Sequence, residues 1–75
     1  MASIVLRNRV RDVRNDRGLT QGALAERIGV SRQSVNYIEQ GSIAPSVTLA
    51  LRIARVLGTS VEHLFYLEID HGTIS

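Results

Sequence analysis

The 75-residue chain contains no cysteine, lysine or tryptophan, and it has one proline and three aromatic residues. Without cysteine, disulfides and thiolate metal sites are excluded, and we expect the protein to work in a reducing cytoplasm. No apolar run approaches the roughly 20 residues that cross a bilayer, and the run at residues 4–6 is too short for a signal peptide. The length of 75 residues predicts one small domain at residues 1–75, near the lower size limit for independent folding.

All nine basic residues are arginine, although the formal net charge is only +2. Arginine presents a planar fork of donors that suits phosphate oxygens and guanine edges. Genomic base composition or a heat-adapted host would produce the same bias. The arginine content therefore fits a nucleic-acid partner without assigning one.

Apolar residues recur at helical spacing in five short segments, which predicts an all-α, compact five-helix fold. In the first segment Leu6, Val10 and Val13 form one stripe, with Asn8 as a candidate N-cap. The N-caps predicted for the other four helices are Thr20, Ser31, Ser46 and Ser60. The residues predicted to face inward in these helices are Leu24, Ala25, Ile28, Val35, Ile38, Val47, Ala50, Ile53, Ala54, Leu57, Val61, Leu64 and Phe65.

The two ends of the chain differ from this helical pattern. Residues 4–6 and 66–69 are rich in β-prone side chains and partly alternate, so they are candidates for a short terminal β ribbon. The alternative is that both ends are irregular tails, and residues from Asp70 onward fit a frayed end. Residues 66–75 are thus either a dimerisation segment or a tail.

Residues 20–41 have the spacing of a helix-turn-helix. Ala25 is small enough to let a second helix approach closely, and Gly29 can take the positive φ of a sharp reversal. The apolar residues Leu24, Ile28, Val30, Val35 and Ile38 then pack the two helices at a steep angle. A generic helical hairpin requires neither the small residue nor the glycine at these positions.

The second helix of this pair has one strongly polar face. Arg32, Gln33, Asn36 and Tyr37 project together, whereas Val35 and Ile38 point to the opposite side. A helix fits the major groove, where arginine can bind guanine and glutamine or asparagine can bind adenine. These four residues, called the reading face below, are therefore the candidate base contacts. The alternative is an ordinary solvated helix face.

The segment LTQGALAERIGVSRQSVNYIEQGSIAPSVTLALRIARVLGTSVEHLF resembles the Cro/repressor-type (xenobiotic-response-element-like) helix-turn-helix family of transcriptional regulators. The resemblance covers roughly residues 7–67. It implies a lambda-repressor-like fold and a homodimer that binds double-stranded DNA at a palindromic operator. Repression or autoregulation would be its function, with no cofactor, metal or small-molecule ligand.

Helix starts, and for Gln21 also the resemblance, suggest roles outside the reading face. Gln21, Ser34 and Ser42 are the candidate phosphate contacts, since helix starts present free N–H groups to phosphate oxygens. In relatives, residues matching Arg14 and Glu39 form an ion pair inside the domain, and we predict that pair here. Many relatives carry a basic residue directly after the glycine matching Gly41. This chain has serine there, which predicts modest non-specific affinity unless another arginine compensates.

The candidate dimer surface lies near the C-terminus. It comprises Leu64, Phe65, Leu67 and Ile69, with Ile4 and Val5 as further candidates. The alternative for Leu64 and Phe65 is that they close the core of the monomer. Such a dimer would read two half-sites about one DNA turn, or roughly 34 Å, apart.

Other functions have little support in the sequence. No serine, histidine and aspartate have the spacing of a catalytic triad, so we expect no enzyme activity and no catalytic residue. His63 and His71 fit surface positions, and Glu62 points to a different helix face from His63. The competing function is an antitoxin or co-regulator whose main contact is a protein partner.

Overall fold

The computed structural model describes residues 2–70, which form five helices between two terminal strands. The elements are β1 (Ser3–Asn8), α1 (Val10–Asp16), α2 (Gln21–Ile28), α3 (Arg32–Gln40), α4 (Val47–Leu57), α5 (Val61–Leu64) and β2 (Phe65–Asp70). The predicted five-helix fold is confirmed. The predicted tail from Asp70 onward is wrong for Asp70, which pairs with Ser3 as the last residue of β2. Residues 71–75, including His71, lie outside the described residues.

Four of the helices begin at the predicted hydroxyl caps. The side-chain oxygen of each cap accepts a backbone N–H three residues later, at 3.0–3.1 Å, which satisfies one of the unpaired donors of the first turn. These caps are Thr20, Ser31, Ser46 and Ser60. The chain therefore marks the start of each later helix with a local hydrogen bond.

The core lies where the inward stripes of all five helices meet. Its buried apolar residues are Val10, Val13, Leu24, Ala25, Ile28, Val35, Ile38, Ile53, Ala54, Leu57 and Leu64. All of these residues were predicted to face inward. Val10 and Val13 were predicted from the apolar stripe of the first helix, and the others from the stripes of the later helices. The small residue Ala25 is 3% exposed, as expected for a close approach between helices.

The ends of the chain pair as an antiparallel ribbon, with Ile4 opposite Ile69 and Leu6 opposite Leu67. The prediction of a terminal ribbon is thus confirmed, whereas the placement of Leu6 on the stripe of the first helix is wrong. Leu6 lies in β1, and α1 begins two residues after Asn8, whose side chain accepts the Val10 N–H at 3.1 Å. Directly opposite residues share a ribbon face, so these four apolar side chains lie together.

One residue of α4 that was predicted to face inward, Val47, does not. Val47 is 78% exposed, because the first turn of α4 borders an open groove beside the ribbon. Leu6, Leu51 and Phe65 also line that groove. The remaining inward residues of α4 are buried as predicted.

Candidate nucleic-acid interface

Helices α2 and α3 meet across a tight glycine turn. Gly29 has φ 79°, and its N–H and that of Val30 both donate to Ala25 O, at 2.9 and 3.0 Å. A side chain with a Cβ would be strained in this left-handed conformation, so glycine is required at the reversal. Val35 and Ile38 are each 1% exposed and hold α3 against the core.

The outer side of α3 carries the four residues of the reading face. Arg32 and Gln33 are exposed, and Tyr37 is 40% exposed. Gln33 Nε2 donates to Tyr37 Oη at 2.9 Å, which links two neighbouring turns. The phenol accepts in this bond, so its own hydrogen remains available to donate.

Asn36 belongs to a polar network that runs inward from the reading face. Gln21 Nε2, at the start of α2, donates to Asn36 Oδ1 at 3.2 Å and to Glu39 Oε1 at 3.0 Å. Both hydrogens of this amide are thereby used inside the protein. A phosphate contact from Gln21 would accordingly come from its backbone N–H.

The network ends at Glu39, which forms an ion pair with Arg14. Arg14 Nε lies 2.6 Å from Glu39 Oε2, and Arg11 Nε lies 3.4 Å from Oε1. Burial alone would raise the pKa of Glu39, but hydrogen bonds from Arg14, Gln21 and Arg11, with the charge of Arg14, lower it overall. The carboxylate is held ionised and away from the reading face. Arg11 was not predicted to join Glu39, although its spacing of three from Arg14 puts both on one helix face.

The other phosphate candidates lie at the two ends of α3. Ser34 is half-buried, and its Oγ lies 3.0 Å from Ser31 Oγ in the first turn. Ser42 is exposed beyond the last turn, but its N–H donates to Tyr37 O at 2.9 Å. That amide closes the end of the helix. The hydroxyl of Ser42 donates to Gln40 Oε1 at 3.5 Å and would have to leave this long contact to bind a phosphate.

Two of the nearby arginines are tied to other parts of the protein, although both keep their charge. Arg17 Nε donates to Leu57 O at 2.9 Å, which ties it to the end of α4. Arg11 faces Glu39. Arg32 is the arginine of the reading face and is exposed. It also borders a shallow cleft with Thr20 and Gly22 at the start of α2.

The four candidate dimer residues differ in their exposure. Leu64 is 0% exposed and closes the core, so of its two predicted roles the structure has the core position and not the dimer contact. Phe65 is half-buried between the core and the groove. Leu67 and Ile69 are well exposed on the apolar face of the ribbon.

Residues 2–70 have neither a metal-binding cluster nor a membrane-spanning helix. Among them no three histidine, aspartate or glutamate side chains are grouped as metal ligands would be. No helix in this part of the chain has the length and apolar character needed to cross a membrane.

Two helices joined across a glycine turn within a five-helix bundle define the helix-turn-helix class of DNA-binding folds. The helix-turn-helix family model HTH_3 matches residues 10–64, most of the chain. The chain therefore belongs to the Cro/repressor-type helix-turn-helix family.

Relatives of similar length support this assignment. An uncharacterized HTH-type transcriptional regulator of Methanothermobacter thermautotrophicus is 47% identical over 66 residues, covering 87% of this chain and 96% of the relative. The HTH-type transcriptional regulator YgzD of Bacillus subtilis is 40% identical over 66 residues, covering 88% and 100%. The similarity thus extends over nearly the whole of each protein.

Two crystal structures share the fold. The clp gene regulator ClgR of Corynebacterium glutamicum matches with a TM-score of 0.67 and 35% identity, covering 69% of this chain and 55% of that one. A Bacteroides fragilis protein described as DNA-binding matches with a TM-score of 0.77, covering 83% and 100%. At 22% identity the second supports the fold alone.

Proposed function

We propose that this protein is a sequence-specific transcriptional regulator that binds double-stranded DNA by inserting α3 into the major groove. The observation that carries the proposal is the division of α3 into two sides. Val35 and Ile38 are buried in the core, while Arg32, Gln33 and Tyr37 stand exposed on the other side. The major groove, about 12 Å wide, admits such a helix.

The chemistry of the reading face suits base edges. Arg32 follows the N-cap of α3, and the first residues of a recognition helix reach deepest into the groove. Its guanidinium suits guanine O6 and N7, and Gln33 suits adenine. Tyr37, bonded to Gln33, suits a thymine methyl or a phosphate.

Phosphate contacts would set the position of α3 on the duplex. The first turns of α2 and α3 carry N–H groups that favour anions. Gln21 and Ser34 lie in these turns, whereas Ser42 follows the last turn of α3 and would contact a phosphate through its hydroxyl. Non-specific affinity depends on the number of neutralised phosphates. Because a serine and not a basic residue follows Gly41, we expect that affinity to be modest.

The apolar ribbon face supports a homodimer. Ile4, Leu6, Leu67 and Ile69 form one face, and each is between 40% and 70% exposed. The groove of about 260 Å³ beside α4 continues that apolar surface through Val47 and Leu51. A second copy related by a two-fold axis would cover the same surface on both subunits. The resulting dimer would read a palindrome.

Repression or autoregulation is the mode of control that we propose. A dimer that occupies an operator can act by excluding other proteins from it, which requires no further domain. Activation would require an additional contact with the transcription machinery. The proposed repression therefore requires only that the dimer occupy its operator.

Selection of bound sequences from a random DNA pool tests this function. We expect two inverted half-sites about one helical turn apart. Arg32→Ala and Gln33→Ala should each lose about 1–3 kcal/mol at particular base pairs. Equal losses of binding free energy on every sequence would mean that both side chains contact phosphates and not bases. If no sequence were enriched, the function would fail and a protein partner would become the main candidate.

A further inference from the structure

We propose that Glu39, acting through Gln21, fixes which atoms Asn36 presents to the DNA. Glu39 and Gln21 would thus be positioning residues for sequence recognition, although neither belongs to the reading face. The inference deepens the function proposed above and rests on it.

The first step is the orientation of the Gln21 amide. The Glu39 side chain is 0% exposed and is held as an anion by Arg14, and a carboxylate only accepts hydrogen bonds. Gln21 must therefore turn Nε2 toward it, as observed at 3.0 Å. The reverse orientation would put the amide oxygen against a negative charge.

The second step passes this orientation to Asn36. The remaining hydrogen of Gln21 Nε2 points to the Asn36 amide, and it requires an acceptor there. Asn36 Oδ1 lies at 3.2 Å and meets that requirement. The donor Nδ2 is then the part of this amide that is left for another partner. The direction of the whole chain of hydrogen bonds follows from the charge of Glu39.

The consequence is a base preference at the pair that Asn36 contacts. An asparagine that binds adenine at two points turns both its oxygen and its nitrogen to the base edge, and here the oxygen is turned toward Gln21. A lone donor can bind both acceptors of guanine, O6 and N7, whereas adenine offers it only N7, beside its own N6 donor. We therefore expect guanine to exceed adenine at this position by about threefold to tenfold, the effect of one hydrogen bond.

The test compares selected DNA sequences for four proteins, the wild type and three variants. Asn36→Ala identifies the base pair that Asn36 contacts. Gln21→Met removes the relay while leaving Arg14 and Glu39 paired, and it should bring the base ratio at that pair toward one. A general loss of affinity from Gln21 as a phosphate contact would not change this ratio. Gln33→Met is the matched control and should alter a different base pair only.

A double variant tests the role of the charge itself. Arg14→Met with Glu39→Gln removes both charges together, so no buried charge is left unpaired. The amide introduced at position 39 can present either its oxygen or its nitrogen to Gln21, so the base ratio should fall as it does for Gln21→Met. An unchanged ratio in either relay variant would overturn the proposal.

A measurement without DNA gives an independent check. In NMR spectra of the labelled free protein, both side-chain amide protons of Gln21 should exchange with water more slowly than those of the exposed Gln40. Equal exchange would refute the relay. If wild type enriched no sequence, the relay and the function would fail together. If it enriched a motif unaffected by Asn36→Ala, only the relay would fail.

Discussion

Arg14 and Glu39 are joined by two hydrogen bonds between α1 and the end of α3. Arg14 Nε lies 2.6 Å from Glu39 Oε2, and Nη2 lies 3.1 Å from Oε1. A third bond runs from Arg14 Nη1 to Leu19 O at 2.8 Å. The side chains are 9% and 0% exposed. This pair therefore connects α1, the loop before α2 and α3 itself in a largely dry environment.

Replacement of Glu39 should destabilise the fold strongly. In Glu39→Gln the guanidinium of Arg14 stays buried without its countercharge, and breaking a buried pair in this way costs about 3–5 kcal/mol. We expect the free energy of unfolding to fall by about 3 kcal/mol or more. Urea denaturation followed by circular dichroism measures the change.

The same substitution at Glu68 is the matched control. Glu68 pairs with Arg7 across the ribbon at 3.4 Å, and both side chains are about half exposed. Exposed pairs contribute little, so Glu68→Gln should change the free energy by less than about 0.5 kcal/mol. Full stability of Glu39→Gln would refute the structural role of the Arg14–Glu39 pair.

The lowered pKa of Glu39 predicts a loss of stability in acid. In the unfolded chain this carboxyl takes a proton near its ordinary pKa of about 4.3, whereas in the folded protein Arg14, Gln21 and Arg11 oppose protonation until a lower pH. The contribution is thus fully present above about pH 4.3 and is lost as the pH falls through the folded value. Denaturation midpoints of wild type and Glu39→Gln should converge as the pH is lowered. A constant difference would contradict the assignment.

The elements of the fold were predictable where their signals are local. Thr20, Ser31, Ser46 and Ser60 each bind an N–H three residues later, so a hydroxyl before an apolar stripe is sufficient to locate the helix start. Gly29 marks the turn for a similarly local reason, because its positive φ is needed there. The reading face followed from helical periodicity alone.

The errors arose where packing between distant segments decides. Leu6 fits either a helical stripe or an alternating strand, and the choice depends on its pairing with Leu67 near the other end of the chain. Val47 and Leu64 have the same apolar character, yet one borders a groove and the other closes the core. The link from Gln21 to Asn36 was not predicted, since it depends on how α2 and α3 cross.

Replacing Gly22 by alanine should stabilise the fold. It lies in the first turn of α2 without a positive φ, and an added Cβ would meet only Thr20 Oγ1 at 3.9 Å and Arg32 Cδ at 4.0 Å. Gly22→Ala should raise the free energy of unfolding by about 0.5–1 kcal/mol, chiefly by restricting the unfolded chain. The melting temperature should rise by a few degrees.

A control for this prediction lies at the end of α3. Gly41 has φ 80°, where an alanine is strained although the space around it is open. Gly41→Ala should therefore lower the melting temperature. If both alanine variants shifted it in the same direction, backbone conformation would not be the deciding factor.

The proposed dimer predicts opposite results for two substitutions of Leu67. This residue is 70% exposed in the single chain, so Leu67→Glu should leave the monomer fold intact. In the dimer, the carboxylate would be buried against the apolar ribbon face of the second copy, which is costly without a partner. Light scattering over a range of concentrations should show a monomer for Leu67→Glu and a dimer for wild type.

Leu67→Met keeps the volume and apolar character of the side chain, so it should retain the dimer. DNA binding then separates assembly from base recognition. Leu67→Glu should lose most affinity for a site with two half-sites, where the subunits bind together, and little for a single half-site. A wild-type protein that stayed monomeric at high micromolar concentration would exclude the ribbon dimer. Equal losses on both DNAs would mean that Leu67 acts through the fold, not the second subunit.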